Sequence, residues 1–319
     1  MTIAVIGAGM AGLTAARALT AAGKSVRLFD KGRGPGGRMA ARRTVFQGRA
    51  LSFDHGAQYF TARSLEFRSV VEQWVQSGHV AAWSPRRAPG RPDEAWFVGR
   101  PGMNAMLREM AGPLDVSWSA EVSEISGGPK DWWLQFEDGL EEGPFAQLLV
   151  AVPAEQAGVL LAAAAPDLAA AARSVRSLPC WTAMLAYDRP LGLPIDVIEP
   201  REAGGPLAWA ACNSTKPGRA GPEAWIVQAS ADWSESHLEE DAEAVAGAMA
   251  GFFCEKTEAP RPDFLTAHRW RYARVSQPLG KPCLTDAALG IATCGDWHLG
   301  ARVEAAWLSG QGASSELLR

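Results

Sequence analysis

The residues best suited to chemistry begin near the start of the chain, where three glycines follow the spacing Gly7-x-Gly9-x-x-Gly12. An apolar run, Ile3 to Ile6, precedes them, and an alanine-rich stretch follows to about Ala22. This order predicts a strand, a tight turn and a helix whose unpaired N–H groups and partial positive charge face the turn. Such a turn binds the phosphates of a dinucleotide, because the missing side chains let the backbone approach them.

A carboxylate, Asp30, stands at the end of the next predicted strand, which begins at Val26. It is placed to accept hydrogen bonds from ribose hydroxyls, and its charge disfavours a 2′-phosphate at the same position. Taken alone, a glycine turn is common in βαβ units and can be accidental. The strand before it, the helix after it and the acid together favour the dinucleotide interpretation.

A second glycine cluster, Gly34-Pro35-Gly36-Gly37-Arg38, follows at once and favours FAD over a nicotinamide cofactor. It is similar to the Gly-Gly-Arg segment that lies along the FAD pyrophosphate in the flavoprotein class that includes amine oxidases. Arginine suits this position because its planar, always charged guanidinium can bind a phosphate through two hydrogen bonds. The alternative is a flexible, basic surface loop containing Lys31, Arg33, Arg38, Arg42 and Arg43.

Composition sets the broad class of the protein. A chain of 319 residues, 47% of them hydrophobic, can form a large core and two joined domains. A net charge of −4 gives no indication of a nucleic-acid partner. Five scattered cysteines without a CxxC motif argue against disulfides and against a metal site, and favour the cytoplasm.

Nothing in the sequence predicts a targeting or membrane segment. The first predicted strand begins at Thr2, which leaves no room for a signal peptide. The most apolar stretch, 148–172, is interrupted by two prolines and two acids, so we do not expect it to cross a membrane.

The rest of the chain alternates between strand and helix patterns. We expect helices over 64–77, 101–110 and about 237–254, an alanine-rich helical pair after 152, and an exposed loop over 84–94. We expect a β-meander over 114–136 and further strands over 148–152, 181–187, 206–212, 223–229 and 263–272. The apolar face of the first of these helices would consist of Phe67, Val70, Val71, Trp74 and Val75.

The far end of the chain returns to a nucleotide-binding pattern. A buried strand, Leu289 to Thr293, leads into Gly295-Asp296 and then a helix from about Arg302. This looks like a third FAD segment, in which Asp296 holds ribityl or ribose hydroxyls. The helix N-terminus would then face the N1 and C2=O edge of the flavin. Alternatively, Asp296 only caps the terminal helix.

Five long segments, which follow one another along the whole chain, resemble the bacterial renalase family. They are Asp54–Arg63, Ala151–Ala157, Ser214–Arg219, His268–Ala273, and Gly295–Trp297 together with Arg302–Gly310. The resemblance implies a flavoprotein with non-covalent FAD that oxidises dihydro isomers of NAD(P)H carrying the hydride at C2 or C6. Dioxygen would take up the electrons and give hydrogen peroxide. Asp30 stands where the wider class usually has a glutamate, and the short 84–94 loop would border the substrate mouth and affect substrate selectivity.

The resemblance also implies a mixed α/β architecture. We expect a Rossmann-like FAD-binding domain of the flavin amine oxidase type (1–64, 98–160 and 275–319) with an inserted substrate domain of β-sheet plus helices (65–97 and 161–274). The expected cofactor contacts are Gly7, Gly9, Met10, Ala11, Gly12, Asp30, Lys31, Gly37, Arg38, Met39, Gly56, Ala57, Gln58, Tyr59, Val122, Gly295, Asp296, Arg302 and Val303.

Hydride transfer from a dihydropyridine needs little acid–base help, because the donor becomes aromatic as it loses hydride. The protein has to stack the donor ring against the flavin and exclude water. We expect Tyr59, Trp270 and Trp297 as aromatic walls and Gln58 and His268 as polar edges, although ordinary core packing is an alternative for the tryptophans and for His268. Lys216 and Arg219 would meet a substrate phosphate or belong to a solvated loop.

Three other functions remain in competition. The first is an amine or polyamine oxidase on the same fold, which needs an apolar cage and often a lysine near the flavin. No lysine falls in a segment expected beside the flavin, which weighs against it. The others are a flavin-binding sensor without turnover and an NAD-dependent dehydrogenase without flavin.

Overall fold

The computed structural model describes residues 1–88, 94–200, 205–219 and 221–319. Its helices within these ranges are α1 Met10–Ala21, α2 Leu65–Gln76, α3 Ala105–Ala111, α4 Ala154–Leu160, α5 Pro166–Arg173, α6 Ala231–Ser236, α7 Ala242–Thr257, α8 Asp296–Leu299 and α9 Val303–Leu317. Its strands are β1 Thr2–Ile6, β2 Ser25–Asp30, β3 Arg42–Phe46, β4 Arg49–Phe53, β5 Val80–Trp83, β6 Trp96–Gly99, β7 Asp115–Trp118, β8 Val122–Gly128, β9 Asp131–Phe136, β10 Glu141–Phe145, β11 Gln147–Val150, β12 Ser177–Tyr187, β13 Val197–Ile198, β14 Trp209–Cys212, β15 Glu223–Gln228, β16 Phe264–Val275, β17 Leu284–Asp286 and β18 Ile291–Thr293.

A six-stranded sheet in the order β17-β18-β11-β1-β2-β7 forms the nucleotide-binding half. Its pairs are parallel, except that β17 runs antiparallel to β18. The central strand β1 is buried on both faces: Ile3 and Val5 pack in one apolar cluster, and Ala4 and Ile6 in another. Burial on both sides explains why this strand reads as a continuous apolar run rather than an alternating one.

Four antiparallel sheets accompany the six-stranded sheet within the described ranges, and two of them are the two-stranded pairs β3–β4 and β5–β6. Strands β8, β9 and β10 form a three-stranded sheet, whose Trp132 and Leu134 pack in the same cluster as Ala4 and Ile6 of β1. Strands β13-β14-β15-β12-β16 form a five-stranded sheet. One face of β12 packs in a cluster with α7, and the other packs with the β3–β4 hairpin.

The structure confirms most predicted elements and corrects several. Strand β7 lies at the edge of the parallel sheet beside β2, so it is not part of the predicted meander; β10 takes the third place there instead. The helix expected from 237 begins at Ala242, where the Asp241 side chain caps it, and the one expected from 101 begins at Ala105. Val75 is 42% exposed, so the buried face of α2 is narrower than predicted.

Residues 89–93 of the predicted 84–94 loop lie outside the described residues. The division into two discontinuous domains stays a prediction. None of the helices within the described ranges is long and apolar enough to span a bilayer.

Helices α1 and α9 pack closely because Gly310 has no side chain. A Cβ at Gly310 would overlap the Ala11 carbonyl oxygen and lie 3.0 Å from Thr14 Cβ. We expect Gly310→Ala to destabilise the protein by about 1–3 kcal/mol, as overpacking does. Gly247→Ala in α7 is the control, because its Cβ would meet no atom within 4 Å. Equal urea-unfolding midpoints for the two variants would contradict this view of the helix contact.

Candidate functional site

A cavity of about 2700 Å³ lies where the six-stranded and five-stranded sheets meet, and residues of both line it. Pockets for one small ligand usually measure about 300–1,000 Å³, so this cavity has room for a dinucleotide and a second molecule. Within the described ranges, His, Cys, Asp and Glu side chains form no group of three or more placed to hold a metal ion.

The first glycine cluster forms a tight turn at the cavity wall. Gly7 adopts a φ of +106° and its N–H donates to the Phe29 carbonyl at 2.8 Å. A Cβ at Gly12 would overlap the Gly7 carbonyl oxygen, so only glycine lets α1 approach the turn this closely. A Cβ at Gly9 would meet no atom within 4 Å, and Gly9 lines the cavity. The space that a pyrophosphate needs is therefore present beside Gly9 and the start of α1, where Met10 and Ala11 also line the cavity.

Asp30 is held in place by the backbone around it. Its Oδ2 accepts from the Ala8 N–H at 2.6 Å and its Oδ1 from the Gly32 N–H at 2.7 Å. Lys31 also lines the cavity, and its Nζ lies 3.2 Å from Glu121 Oε1. Val122 of β8 lines the same part of the cavity. The carboxylate is thus fixed, with lone pairs remaining for ribose hydroxyls.

The second glycine cluster brings three distant parts of the chain together. Arg38 lies in a 3₁₀ turn over Gly37–Met39, and its guanidinium donates to Asp296 Oδ1 at 2.6 Å. The Arg38 carbonyl accepts from the Ala57 N–H at 2.9 Å, and a Cβ at Gly56 would overlap that carbonyl. All these residues line the cavity, so the predicted contacts from positions 37–39, 56–57 and 296 lie side by side.

The C-terminal segment reaches the cavity through the start of α9. Arg302 is the residue before the helix, Val303 begins it, and both line the cavity with Gly295 and Asp296. Asp296 is the first residue of the separate one-turn helix α8. The alternative in which Asp296 only caps the terminal helix is therefore wrong.

The five-stranded sheet contributes a row of side chains across its strands. Trp209 of β14 pairs with Gln228 of β15, Gln228 pairs with Thr182 of β12, and Thr182 pairs with His268 of β16. Directly opposed residues share one face of a sheet. Trp209, Gln228 and His268 line the cavity. We call the part of the cavity lined by Tyr59, Trp209, Gln228, His268 and Trp270 the aromatic chamber.

Aromatic stacking fixes the rings of the aromatic chamber. The Tyr59 ring stacks on Trp96 with 3.8 Å between centroids and lies 5.6 Å from Trp209. The Trp270 ring lies 4.5 Å from His268 and 5.1 Å from His55. Trp270 also donates its indole N–H to the His55 carbonyl at 2.9 Å. The chamber therefore presents flat faces whose orientation is set by neighbouring rings.

Both histidines at the aromatic chamber are held neutral. Burial lowers the pKa of His55 to about 4, and the nearby His268 and Arg42 add to the effect. Burial and then the charge of Arg42 lower the pKa of His268. The imidazoles can therefore donate or accept hydrogen bonds at neutral pH without adding positive charge.

The expectation that Lys216 and Arg219 meet a substrate phosphate or lie in a solvated loop is wrong. Both are buried around the Asp54 carboxylate, with Lys216 Nζ 3.4 Å and Arg219 Nε 3.1 Å from Asp54 Oδ2. Lys216 Nζ also donates to Gln58 Oε1 at 3.1 Å, and the Gln58 amide donates to the Asp54 and Gly56 carbonyls. Gln58 lines the cavity, so Lys216 lies one side chain behind the wall.

The structure also contradicts the prediction that Trp297 forms an aromatic wall. Trp297 is 1% exposed, packs in the cluster with β1 and β11, and donates its indole N–H to the Val152 carbonyl at 3.1 Å. It does not line the cavity, whereas its neighbours Gly295 and Asp296 do. Trp297 follows Asp296 in α8, and because successive side chains of a helix point in different directions, that of Trp297 enters the core.

Sequence reasoning missed three residues that border or support the aromatic chamber: His55, Trp209 and Gln228. His55 stands next to Gly56 within Asp54–Arg63, one of the segments that resemble the renalase family, and this place in the sequence indicates it. Trp209 and Gln228 lie in strands without any motif. Gln228 donates its side-chain amide to the Gly56 carbonyl at 2.9 Å, which only the folded chain reveals.

With this geometry in view, comparison with known proteins defines the class. The family model for flavin-containing amine oxidoreductases matches residues 75–318, and one for NAD(P)-binding Rossmann-like domains matches residues 5–74. The chain belongs to the flavin-containing amine oxidoreductases, and it is an oxidoreductase whose family implies FAD.

Solved structures share the fold at low sequence identity. A candidate protoporphyrinogen oxidase from Exiguobacterium sp. 255-15 matches with a TM-score of 0.76 and 12% identity, over 99% of this chain and 98% of that one. Cyclohexylamine oxidase from Brevibacterium oxydans IH-35A matches with a TM-score of 0.74 and 12% identity, over the same shares. Putrescine oxidase bound to putrescine matches with 0.70 and 13%, over 100% and 99%. The predicted amine-oxidase-type fold with an additional antiparallel sheet is confirmed.

The open space beside Gly9 yields a direct test of cofactor binding. Gly9→Val places a side chain where no protein atom lies, so we expect the apoprotein to fold with an unchanged melting temperature. The same side chain would occupy the space beside the start of α1, so we expect at least a tenfold loss of FAD affinity. Gly128→Val, also at a position with open space, is the control. Full FAD occupancy in Gly9→Val, measured by absorbance, would refute the assignment.

Neutral buried histidines make stability depend on pH. The pKa is about 4 for both His55 and His298 in the folded chain, against about 6.5 when unfolded. Between these values the unfolded chain binds more protons, so stability falls as pH drops below about 6.5. We expect His55→Gln to flatten the slope of unfolding free energy between pH 6.5 and 5, measured by urea unfolding of the cofactor-free protein. Identical slopes in variant and wild type would contradict the pKa of His55.

Proposed function

We propose that this protein is an FAD-dependent oxidase of dihydro isomers of NAD(P)H that carry the transferable hydride at C2 or C6 of the nicotinamide ring. The net reaction converts the donor, dioxygen and one proton into NAD(P)⁺ and hydrogen peroxide. The FAD is bound non-covalently. The observation that carries the proposal is the aromatic chamber, whose fixed flat rings suit a planar donor that needs stacking rather than acid–base catalysis.

The roles of the chain's own groups follow from their positions. Tyr59 and Trp270 would stack against or flank the donor ring and exclude water from it. His268 and the Gln228 amide lie in the same cross-strand row and would bond the carboxamide of the donor. His55 supports Trp270 through its carbonyl, and Gln58 is held by Lys216 at the wall. Bound FAD would supply the hydride acceptor, the flavin N5.

Nucleotide-side contacts are assigned on the same basis. Gly7, Gly9, Met10, Ala11 and the N-terminus of α1 would hold the pyrophosphate together with Arg38, and Gly12 would let the helix pack close. Asp30 would bind the ribose, with Lys31 and Val122 bordering the adenine. Asp296 would bind ribityl hydroxyls, and Arg302 and Val303 would place the start of α9 towards the flavin.

An amine oxidase is the second candidate, favoured by the family to which the chain belongs. Putrescine oxidase and cyclohexylamine oxidase, which share its fold, are named for amine substrates. A lysine does lie close to the cavity, but Lys216 is fully buried and bonded to Asp54 and Gln58. Its ammonium group is therefore engaged inside the protein rather than presented to a substrate.

Anaerobic flavin reduction separates these functions. Borohydride-reduced NAD contains the dihydro isomers, and we expect it to bleach the flavin of the purified holoenzyme rapidly. Putrescine, cyclohexylamine and aromatic amines should leave the flavin oxidised over the same time, and purified 1,4-NADH is the control for isomer selectivity. Bleaching by an amine and not by the isomers would overturn the proposal.

Two further outcomes also count against it. A flavin that no donor reduces would indicate a sensor without turnover. A colourless protein that binds NAD but not FAD would indicate a dehydrogenase.

A further inference from the structure

The arginines that line the cavity fall into two groups. Four of them pair with carboxylates: Arg38 with Asp296, Arg63 with Glu94, and both Arg269 and Arg271 with Glu239. Within the described residues, the second group lines the cavity without an ion pair to a carboxylate: Arg33, Arg42, Arg43, Arg108, Arg274 and Arg302. An arginine that faces a cavity and is not neutralised by the protein is available to an anionic ligand.

The position of Arg42 ties it to the aromatic chamber. It begins β3 directly opposite Phe53, the last residue of β4, and His55 follows two residues later. Its positive charge acts on both His55 and His268, and this proximity is one cause of the lowered pKa of each imidazole. Arg42 therefore lies beside the walls of the aromatic chamber.

The neighbouring charges leave this region positive. Arg43 follows Arg42 in the chain and lines the same cavity. Most of the acids that line it are engaged: Glu94 and Asp296 with arginines, Glu121 with Lys31, Asp30 with backbone N–H groups and Glu155 with Ser177. Glu137 lines the cavity beside Val122, on the nucleotide side. Asp232, in the first turn of α6, is the acid that approaches from the five-stranded sheet. With both imidazoles neutral, Arg42 is the hairpin residue whose charge acts on both of them.

We propose that Arg42 binds a phosphoryl group of the substrate and so selects nucleotide donors over phosphate-free ones and over cationic amines. This inference rests on the proposed function, and it adds the residue that recognises the phosphoryl group of the substrate. In a pyridine nucleotide, one ribose separates the ring from the first phosphate. A ring held by Tyr59, His268 and Trp270 would therefore place that phosphate at the edge of the chamber, where Arg42 begins its strand. A protonated amine would instead meet a like charge there.

Three donors that share one ring test the role of Arg42. They are the borohydride-reduced forms of NAD, of nicotinamide mononucleotide and of nicotinamide riboside, which lacks phosphate. We expect Arg42→Gln to lower kcat/KM at least tenfold for the first two, through KM, and to change the riboside less than twofold. Arg49→Gln is the matched control, because Arg49 lies in the same hairpin and does not line the cavity. An equal loss for all three donors, or no loss for any, would overturn the proposal.

A binding measurement separates failure of this inference from failure of the proposed function. Titration of the oxidised holoenzyme with NAD⁺, followed by flavin absorbance, should show at least a tenfold weaker affinity in Arg42→Gln and no change in Arg49→Gln. If no dihydropyridine reduces the wild-type flavin, the proposed function is wrong, and inorganic pyrophosphate followed by calorimetry still decides the anion site. Equal pyrophosphate affinity in wild type and Arg42→Gln would then refute the role of Arg42.

Discussion

The buried carboxylate of Asp54 joins three parts of the chain that no local rule brings together. It is 1% exposed and accepts hydrogen bonds from Arg219, from Lys216 and from the Met103 N–H, while Asn213 accepts from the Asp54 N–H. Burial alone would raise the pKa of Asp54, but the two cations outweigh it and hold the pKa below its ordinary value. Removing one partner of a buried ion pair typically costs about 3–5 kcal/mol, so this cluster strongly favours one arrangement of the segments around it.

The cavity wall depends on that cluster. Two cations share one carboxylate, and burial lowers the pKa of Lys216 to about 8 despite the attraction of Asp54. The Lys216 ammonium is then directed to Gln58, whose amide in turn bonds the Asp54 and Gly56 carbonyls. Because the Gly56 carbonyl also accepts from Gln228, the 54–59 segment is tied to the five-stranded sheet. The wall between the nucleotide-binding half and the aromatic chamber is therefore rigid.

The sequence predicts those parts of the molecule whose structure is decided by residues that lie close together in the chain. The turn at Gly7, the helix after it and Asp30 lie within one βαβ unit, where spacing and residue type decide the backbone. Asp54 and Lys216 are separated by 162 residues, so their pairing follows only from the topology. Trp297 departs from the prediction for the opposite reason: it is next to Asp296 in the chain, but successive side chains of a helix point about 100° apart, so Trp297 enters the core while Asp296 lines the cavity. Strand β7 differs from the prediction because its four residues, Asp115–Trp118, contain no signal for the sheet that they join.

The difference between local backbone requirements and contacts between distant side chains also explains how the fold persists at 12–13% identity to the related structures. The nucleotide-binding half relies on missing side chains, backbone N–H groups and one carboxylate, and few residues suffice to keep these. The chamber is built from individual side chains in a cross-strand row and from rings stacked on their neighbours, and such positions can change without disturbing the sheet. Family membership therefore defines the oxidoreductase class and its flavin. The substrate has to be inferred from the rings and charges that face the cavity, which in this chain are flat, neutral at the histidines and positive at Arg42.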